Sequence, residues 1–297
     1  MRLNFNIQEN DQDQKISKYL RLQGISRRIL KRIKYHGGEI VVNGKDQRSD
    51  YRLQVNDQLE IDIPDLAGSD NIVKINEPIT ILYEDEYFLA ANKPPFLPSI
   101  PKRGDSLDNV SSRVKYYLYQ KYGTDYAMHL ITRLDADTSG VILFAKNSLA
   151  HSLFFKQKTS QTVKKEYFAV TMGQIERDCL LLLPLGRSPE FFLRRVISDQ
   201  GKSSMTLLQV EKNYQEATSL RVRLYTGRTH QIRAHLSAIN HPIFGDELYG
   251  GDRNLINRQA LHCEKLVFVH PFTQEKIVIN APLPDDLTDL LNNFSPV

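Results

Sequence analysis

The stretch Leu220-Arg221-Val222-Arg223-Leu224-Tyr225-Thr226-Gly227-Arg228-Thr229-His230-Gln231-Ile232-Arg233-Ala234-His235 changes its hydrophobic period partway along. Up to Leu224 apolar side chains alternate with Arg221, Arg223 and Tyr225, the period of a strand. Beyond Gly227 the apolar residues Ile232, Leu236 and Ile239 take the spacing of one helix face, and Thr229 is suited to cap that helix. The reading is strand, tight turn, helix. It puts Arg228 at the junction, where connecting segments tend to carry working residues. From Ala217 to Gly245 there is no acid and there are four arginines, so some guanidiniums need partners elsewhere in the chain or in a ligand.

Working outward, Ile79–Leu82, Tyr87–Ala91, Met128–Ile131 and Val141–Ala145 read as strands. Asp105 is expected to open a helix carrying Leu107, Val110, Val114, Tyr117 and Leu118, closed by Gly123. Strands and helices alternate without a regular βαβ rhythm, which favours a mixed α+β sheet. The 297 residues are 41% hydrophobic and 25% charged, a globular composition. Two distant cysteines, Cys179 and Cys263, supply no disulfide framework and no Cys-rich zinc site. The first residues hold no apolar run, and the apolar stretch around Leu180 to Leu183 stops at Pro184, far short of a membrane span. The expectation is a soluble cytoplasmic protein, and without coiled-coil heptads a monomer. Asn292 to Val297 read as a frayed end.

The formal charge of +4 hides a polarised first quarter. Residues 15–38 hold Lys15, Lys18, Arg21, Arg27, Arg28, Lys31, Arg32 and Lys34 and no acid, whereas residues 39–86 hold twelve acids and four bases. Asp13 is placed to cap a helix ended by Gly24, and Ser26 a second one with an Ile29, Leu30, Ile33 stripe. Ile40–Val42 reads as a strand, Asn43-Gly44 as a hairpin turn, and Leu53, Val55, Leu59, Ile61 and Ile63 alternate as strands do. A charge run is usually a solvated helix face. Five bases within residues 27–34, all of one sign, repel one another and favour nucleic acid. The order of pieces resembles the small RNA-binding domain named after the fourth small-subunit ribosomal protein. The matching residues are Leu20, Gly24–Arg28, Lys31, Gly37-Gly38, Ile40, Val42–Gly44 and Asp57, across residues 12–63. That resemblance implies a grip on structured RNA through Arg27, Arg28, Lys31 and Arg32. Residues 64–77, with Pro64, Gly68, Ser69, Asp70 and Asn71, read as a linker.

Two further segments hold chemistry-bearing residues. Thr132-Arg133-Leu134-Asp135-Ala136-Asp137-Thr138-Ser139-Gly140 lies between strands and alone spells a turn. No nucleophile elbow surrounds Ser139. Lys164-Lys165-Glu166-Tyr167-Phe168-Ala169-Val170 reads as a strand, and a half-exposed strand tyrosine is ordinary. His230, His235 and His241 are spaced by five and six, which does not stack on one helix face, so no metal site is read there.

Together these segments resemble the RluA-type RNA pseudouridine synthases over residues 78–290. The motifs are Arg133-Leu134-Asp135 with Thr138-Ser139-Gly140 and Ala145-Lys146, Lys165-Glu166-Tyr167, Thr226 to Arg233 unbroken, His241 to Asp246 with Tyr249-Gly250, Leu261-His262, His270-Pro271, and the early Asn92-Lys93-Pro94. The resemblance implies an α+β fold with a mixed, mainly antiparallel central sheet and flanking helices, and RNA as partner. It implies no metal and no organic cofactor, because the reaction moves uracil from an N1 to a C5 linkage on the ribose without redox change. Asp135, Tyr167 and Arg228 match the catalytic positions. Arg228 is expected beside Asp135, keeping its carboxylate ionised in a dry pocket. Tyr167 offers uracil a flat face and a hydroxyl for proton transfer at C5. Arg133, Thr138, Arg233 and Lys146 are implied substrate contacts. The sequence leaves open whether Asp135 attacks C1′, adds to the ring or takes the C2′ proton; work at the sugar is favoured. Two positions depart from the family: Thr132 stands where histidine is usual, and Phe96 where glycine is usual. The implied substrate is large-subunit ribosomal RNA, with transfer RNA as the alternative. A non-catalytic assembly factor would not need Asp135, Tyr167 and Arg228 together. A glycosidase needs a second carboxylate facing the first, and these segments supply arginines instead.

Overall fold

The computed structural model describes residues 1–64, 72–101, 107–125, 127–157 and 162–297. The N-terminal part is a four-stranded antiparallel sheet packed by two helices. Its elements are β1 (Arg2–Asn6), α1 (Ile16–Leu22), α2 (Arg27–Tyr35), β2 (Glu39–Val42), β3 (Lys45–Asp46) and β4 (Gln58–Asp62), with strand order β1-β4-β2-β3. This unit starts ahead of the expected residue 12, because β1 pairs with β4 along its whole length. Ser26 caps α2 as read, accepting from the Ile29 N–H at 3.3 Å. Asp13 does not cap α1. It takes a left-handed backbone and pairs with Arg52 at 3.0 Å, and Lys15 is the residue at the cap position. Leu53 is buried as its apolarity requires, but residues 53–57 turn instead of forming a strand. Of the expected linker, residues 65–71 lie outside the described residues, as does Asp105.

The larger part contains β5 (Thr80–Glu84), β6 (Phe88–Lys93), α3 (Val110–Tyr122), β7 (His129–Leu130), β8 (Ser139–Ala145), α4 (Ser148–Gln157) and β9 (Val163–Met172). Then come β10 (Cys179–Leu182), β11 (Leu185–Arg187), β12 (Arg195–Ile197), β13 (Met205–Asn213), β14 (Ala217–Leu224), α5 (Gln231–Ala238), β15 (Leu261–Val269), β16 (Lys276–Asn280) and α6 (Asp285–Asn292). The main sheet runs β10-β13-β14-β9-β15-β8-β6-β5, with β7 on β8 and β16 on β15. Among the described residues every pairing in this sheet is antiparallel except β15 with β8. The sheet is therefore mixed and mainly antiparallel, with helices on its faces. Gly140 permits the parallel join: its φ is +110°, and a Cβ there would meet the Cys263 carbonyl oxygen at 2.2 Å. Asn109, not Asp105, caps α3, and its side chain accepts from the Ser112 N–H at 3.0 Å. The C-terminal residues are held, not frayed: the Gln215 N–H donates to the Ser295 carbonyl, and Phe294 packs on Tyr214 and Phe244.

The N-terminal unit is docked on α4. Leu149 of α4 is buried within the N-terminal core, Ser152 Oγ donates to the Gly24 carbonyl at 2.7 Å, and Lys156 donates to the Leu22 carbonyl. On α2, Ile29 and Ile33 face inward, each worth about 1.5–3 kcal/mol of burial. Arg32 is turned toward the dock and donates to Ser148 Oγ at 2.9 Å. Burial and the neighbouring Arg28 both lower its pKa. Arg27, Arg28, Lys31 and Lys34 remain exposed. The basic face expected to meet RNA is thus narrower by one arginine.

Candidate active site

The Asp135 segment connects β7 to β8 and is tightly held. The Thr138 N–H donates to the Asp135 carbonyl at 3.1 Å, closing a turn with Asp135 first and Ala136-Asp137 at its centre. Ser99 Oγ donates to the Leu134 carbonyl at 2.8 Å, and Lys93 Nζ donates to the Ala136 carbonyl at 2.5 Å. Arg258 donates to the Asp137 carbonyl at 3.2 Å, and Gln259 Nε2 to Thr138 Oγ1 at 3.1 Å. These four partners come from two distant parts of the chain; Lys93, Ser99 and Arg258 pin the backbone on both sides of Asp135, and Gln259 holds the Thr138 side chain. Lys93 has no exposed surface, and burial lowers its pKa to about 7 against the opposing pull of Asp137 and Asp135. Arg258 is equally enclosed and pairs in bidentate fashion with Asp286 at 2.6 and 2.9 Å.

Asp135 faces a cavity of about 350 Å³ bordered by Tyr167, His230, Arg133, Arg228 and Arg233. The guanidinium beside it belongs to Arg233, whose Nη1 lies 3.2 Å from Asp135 Oδ2. The expected partner, Arg228, is exposed and donates through Nε to the Ser203 carbonyl at 3.2 Å. The reason is local. The buried Gln231 side chain accepts from the Arg228 N–H and from Thr226 Oγ1, both at 2.9 Å, and this staple turns residues 226–228 outward at the cavity rim. Arg233, in the first turn of α5, points inward. It binds Asp246 through Nε and Nη2 at 2.6 and 2.7 Å, and Asp246 has no exposed side-chain surface. Burial works against the Arg233 charge, but the pairing with Asp246 and the approach of Asp135 outweigh it and raise its pKa. Asp246 is the acid that follows directly after the acid-free stretch.

His230 stands at the N-cap position of α5 with φ +54°, where Thr229 had been expected. Its Nε2 lies 3.7 Å from Asp135 Oδ2, and its Nδ1 lies 3.2 Å from the Tyr249 hydroxyl. That hydroxyl accepts from the Arg195 N–H at 2.8 Å and is left to donate to Nδ1. The arrangement suits a neutral imidazole with its proton on Nε2, toward Asp135. Burial lowers the His230 pKa, opposed by the Asp135 charge. His235 and His241 bond the Leu183 and Met172 carbonyls instead, so the three histidines go to three different partners.

Tyr167 is only 4% exposed, unlike an ordinary strand tyrosine, because β9 lies in the middle of the sheet with both faces covered. Burial pushes its pKa well above 10, helped by the nearby Cys263 and Asp135. The hydroxyl is therefore protonated at neutral pH, and Tyr167 borders the cavity. Thr138 is buried at the same cavity, and Arg133 is exposed at its mouth. Lys146 is not among the residues bordering the cavity. It is buried with Nζ 3.0 Å from Glu84 Oε1 and 2.8 Å from the Asp85 carbonyl. Burial would raise the Glu84 carboxyl, but hydrogen bonds from Lys121, Tyr122, Lys146 and Tyr117 bring it down to about 2. Thr132 is likewise structural, with Oγ1 accepting from the Leu143 N–H at 2.8 Å. Ser139 Oγ bonds His262 Nδ1 at 2.9 Å inside the β8–β15 join, a buried pair.

Residues 87–238 match the RNA pseudouridylate synthase family. The uncharacterized RNA pseudouridine synthase YjbO of Bacillus subtilis (strain 168) is 39% identical over 93% of this chain and 98% of its own length. The ribosomal large subunit pseudouridine synthase D of Xylella fastidiosa is 35% identical over 72% of this chain and 69% of its own. Among solved structures, human RNA Pseudouridylate Synthase Domain Containing 1 superimposes with a TM-score of 0.59 at 26% identity, covering 74% of this chain and 89% of that one. With the motifs, the mainly antiparallel sheet and these relatives in agreement, the chain belongs to the RluA-type RNA pseudouridine synthases, isomerases that convert uridine in RNA to pseudouridine.

Proposed function

We propose that the chain modifies uridines of large-subunit ribosomal RNA, acting as a cytoplasmic monomer, with Asp135 as its catalytic carboxylate. The observation that carries this reading is the carboxylate held by Arg233 at a cavity walled by Tyr167. Relatives named for the ribosomal large subunit support the substrate. In the reaction the N1–C1′ bond breaks, uracil turns, a C5–C1′ bond forms, the C5 proton leaves and N1 gains one. Asp135 works at the sugar, and the fixed Arg233 charge needs no reorganisation as the carboxylate changes its bonding. His230 and Asp246 hold this pair in place. The uridine must leave its helix to reach the cavity. Arg133 and Arg228 at the mouth then face the flanking phosphates, and Arg27, Arg28 and Lys31 on α2 grip RNA farther away. Neither Lys146 nor Arg32 is assigned an RNA contact, because their side chains are engaged within the protein.

The test is tritium release from RNA carrying 5-tritiated uridine, with pseudouridine measured in the digest. A Tyr167 that works through its ring predicts that Tyr167→Phe loses less than about tenfold in kcat/KM. Tyr167→Leu should lose about 100-fold, the upper part of the range for a base–aromatic stack. Equal losses in both would assign the work to the hydroxyl. Replacing Arg27, Arg28 and Lys31 together by alanine is expected to weaken RNA binding and lower the slope of log affinity against log salt by up to about three. An unchanged slope would remove α2 from the RNA-binding surface.

A further inference from the structure

Phe96 combines two features that packing does not explain. Its φ is +60°, the left-handed region that favours glycine, the residue usual here in RluA-type enzymes. Its side chain is nevertheless large and 60% exposed, so burial does not offset the backbone cost. Among the described residues no aromatic ring or cation packs on it. The neighbouring Leu97 is 6% exposed and anchors the loop in the core beneath α3. The same loop is fastened to the Asp135 turn at both ends, by Lys93 to the Ala136 carbonyl and by Ser99 to the Leu134 carbonyl. Phe96 therefore stands on the crown of a rigid loop that borders the catalytic turn, with its ring in solvent.

We propose that Phe96 is a specificity residue whose ring stacks on a nucleobase next to the uridine taken into the cavity, a role that rests on the functional reading above. Extracting a uridine breaks its stacking with its neighbours and leaves a base face open. An exposed aromatic ring on a fixed loop accepts such a face whatever the base identity. Strain retained at an exposed residue beside a reaction centre fits a side chain kept for contact with substrate.

Three variants separate the ring from the backbone. Phe96→Gly removes both ring and strain, Phe96→Leu removes the ring and keeps the strain, and Phe96→Tyr keeps both. The probe is an unmodified transcript of large-subunit ribosomal RNA with 5-tritiated uridine. Turnover is followed by tritium release and affinity by filter binding. Phe96→Gly and Phe96→Leu are both expected to raise KM and weaken affinity about tenfold, while Phe96→Tyr matches the wild type. The thermal midpoint should rise in Phe96→Gly only. Affinity in Phe96→Leu equal to wild type, or lost equally in Phe96→Tyr, overturns the stacking role. If the wild-type protein releases no tritium while affinity still follows the ring, the proposed reaction fails and the stacking role stands.

Discussion

Asp135→Asn is expected to lower kcat by about 10⁴-fold or more, the scale seen when a reacting group is removed from an otherwise intact site. RNA affinity should change by no more than a few-fold. The geometry supports a clean separation. Asp135 takes only Nη1 of Arg233, whereas Nε and Nη2 are committed to Asp246, so the arginine stays in place when Asp135 loses its charge. The turn itself is held through backbone carbonyls by Lys93, Ser99 and Arg258 and does not depend on the Asp135 side chain. Single-turnover tritium release with saturating enzyme, beside filter binding, measures both quantities. Release at the wild-type rate would remove Asp135 from the chemistry.

Arg233→Lys is expected to damage stability and catalysis together. A lysine offers one point charge where Asp246 and Asp135 are bridged by a planar fork. Asp246 has no exposed side-chain surface, and leaving such a carboxylate poorly paired costs about 3–5 kcal/mol. For a domain of this size that lowers the thermal midpoint on the order of 10 °C. Turnover should fall about 100-fold in the surviving protein, as when one preorganised stabilising donor is lost. A second variant keeps the two effects apart. Arg233→Met with Asp246→Leu replaces the buried pair by apolar side chains, a change that is often neutral for stability. It should recover most of the midpoint and none of the activity. Recovery of activity in the double variant would mean that Arg233 serves only the fold. By contrast, Arg228→Ala should leave the midpoint unaltered, because that side chain sits exposed at the rim.

The strand–turn–helix around Arg228 was legible because its hydrophobic period changes from 2 to 3.6 at Gly227, and the order of motifs carried the family. Partner choice was not legible. Arg228 and Arg233 are both arginines of one motif; the Gln231 staple turns the first outward, while Asp246 and Asp135 hold the second inward. The acid-free stretch did signal that its arginines needed outside partners, and for Arg233 these are Asp246 and Asp135. Tyr167 looked half-exposed from its strand pattern, since alternation does not tell a central strand covered on both faces from an edge. Lys146 and Arg32 carry the same signal as any basic residue near a motif. Their engagement with Glu84 and Ser148 depends on how β5 and α4 meet them in space. Lys93 and Arg258 lie far from Asp135 in sequence and became part of the site only through the backbone carbonyls they hold.

The central claim is that this chain makes pseudouridine in large-subunit ribosomal RNA through Asp135. Pseudouridines mapped across total RNA test it most directly, in cells carrying the gene, lacking it, and lacking it but supplied with either the wild-type or the Asp135→Asn form. The account predicts that defined positions in large-subunit ribosomal RNA lose the modification without the gene and regain it with the wild-type form alone. Identical maps in all four strains, or restoration by Asp135→Asn, would contradict it.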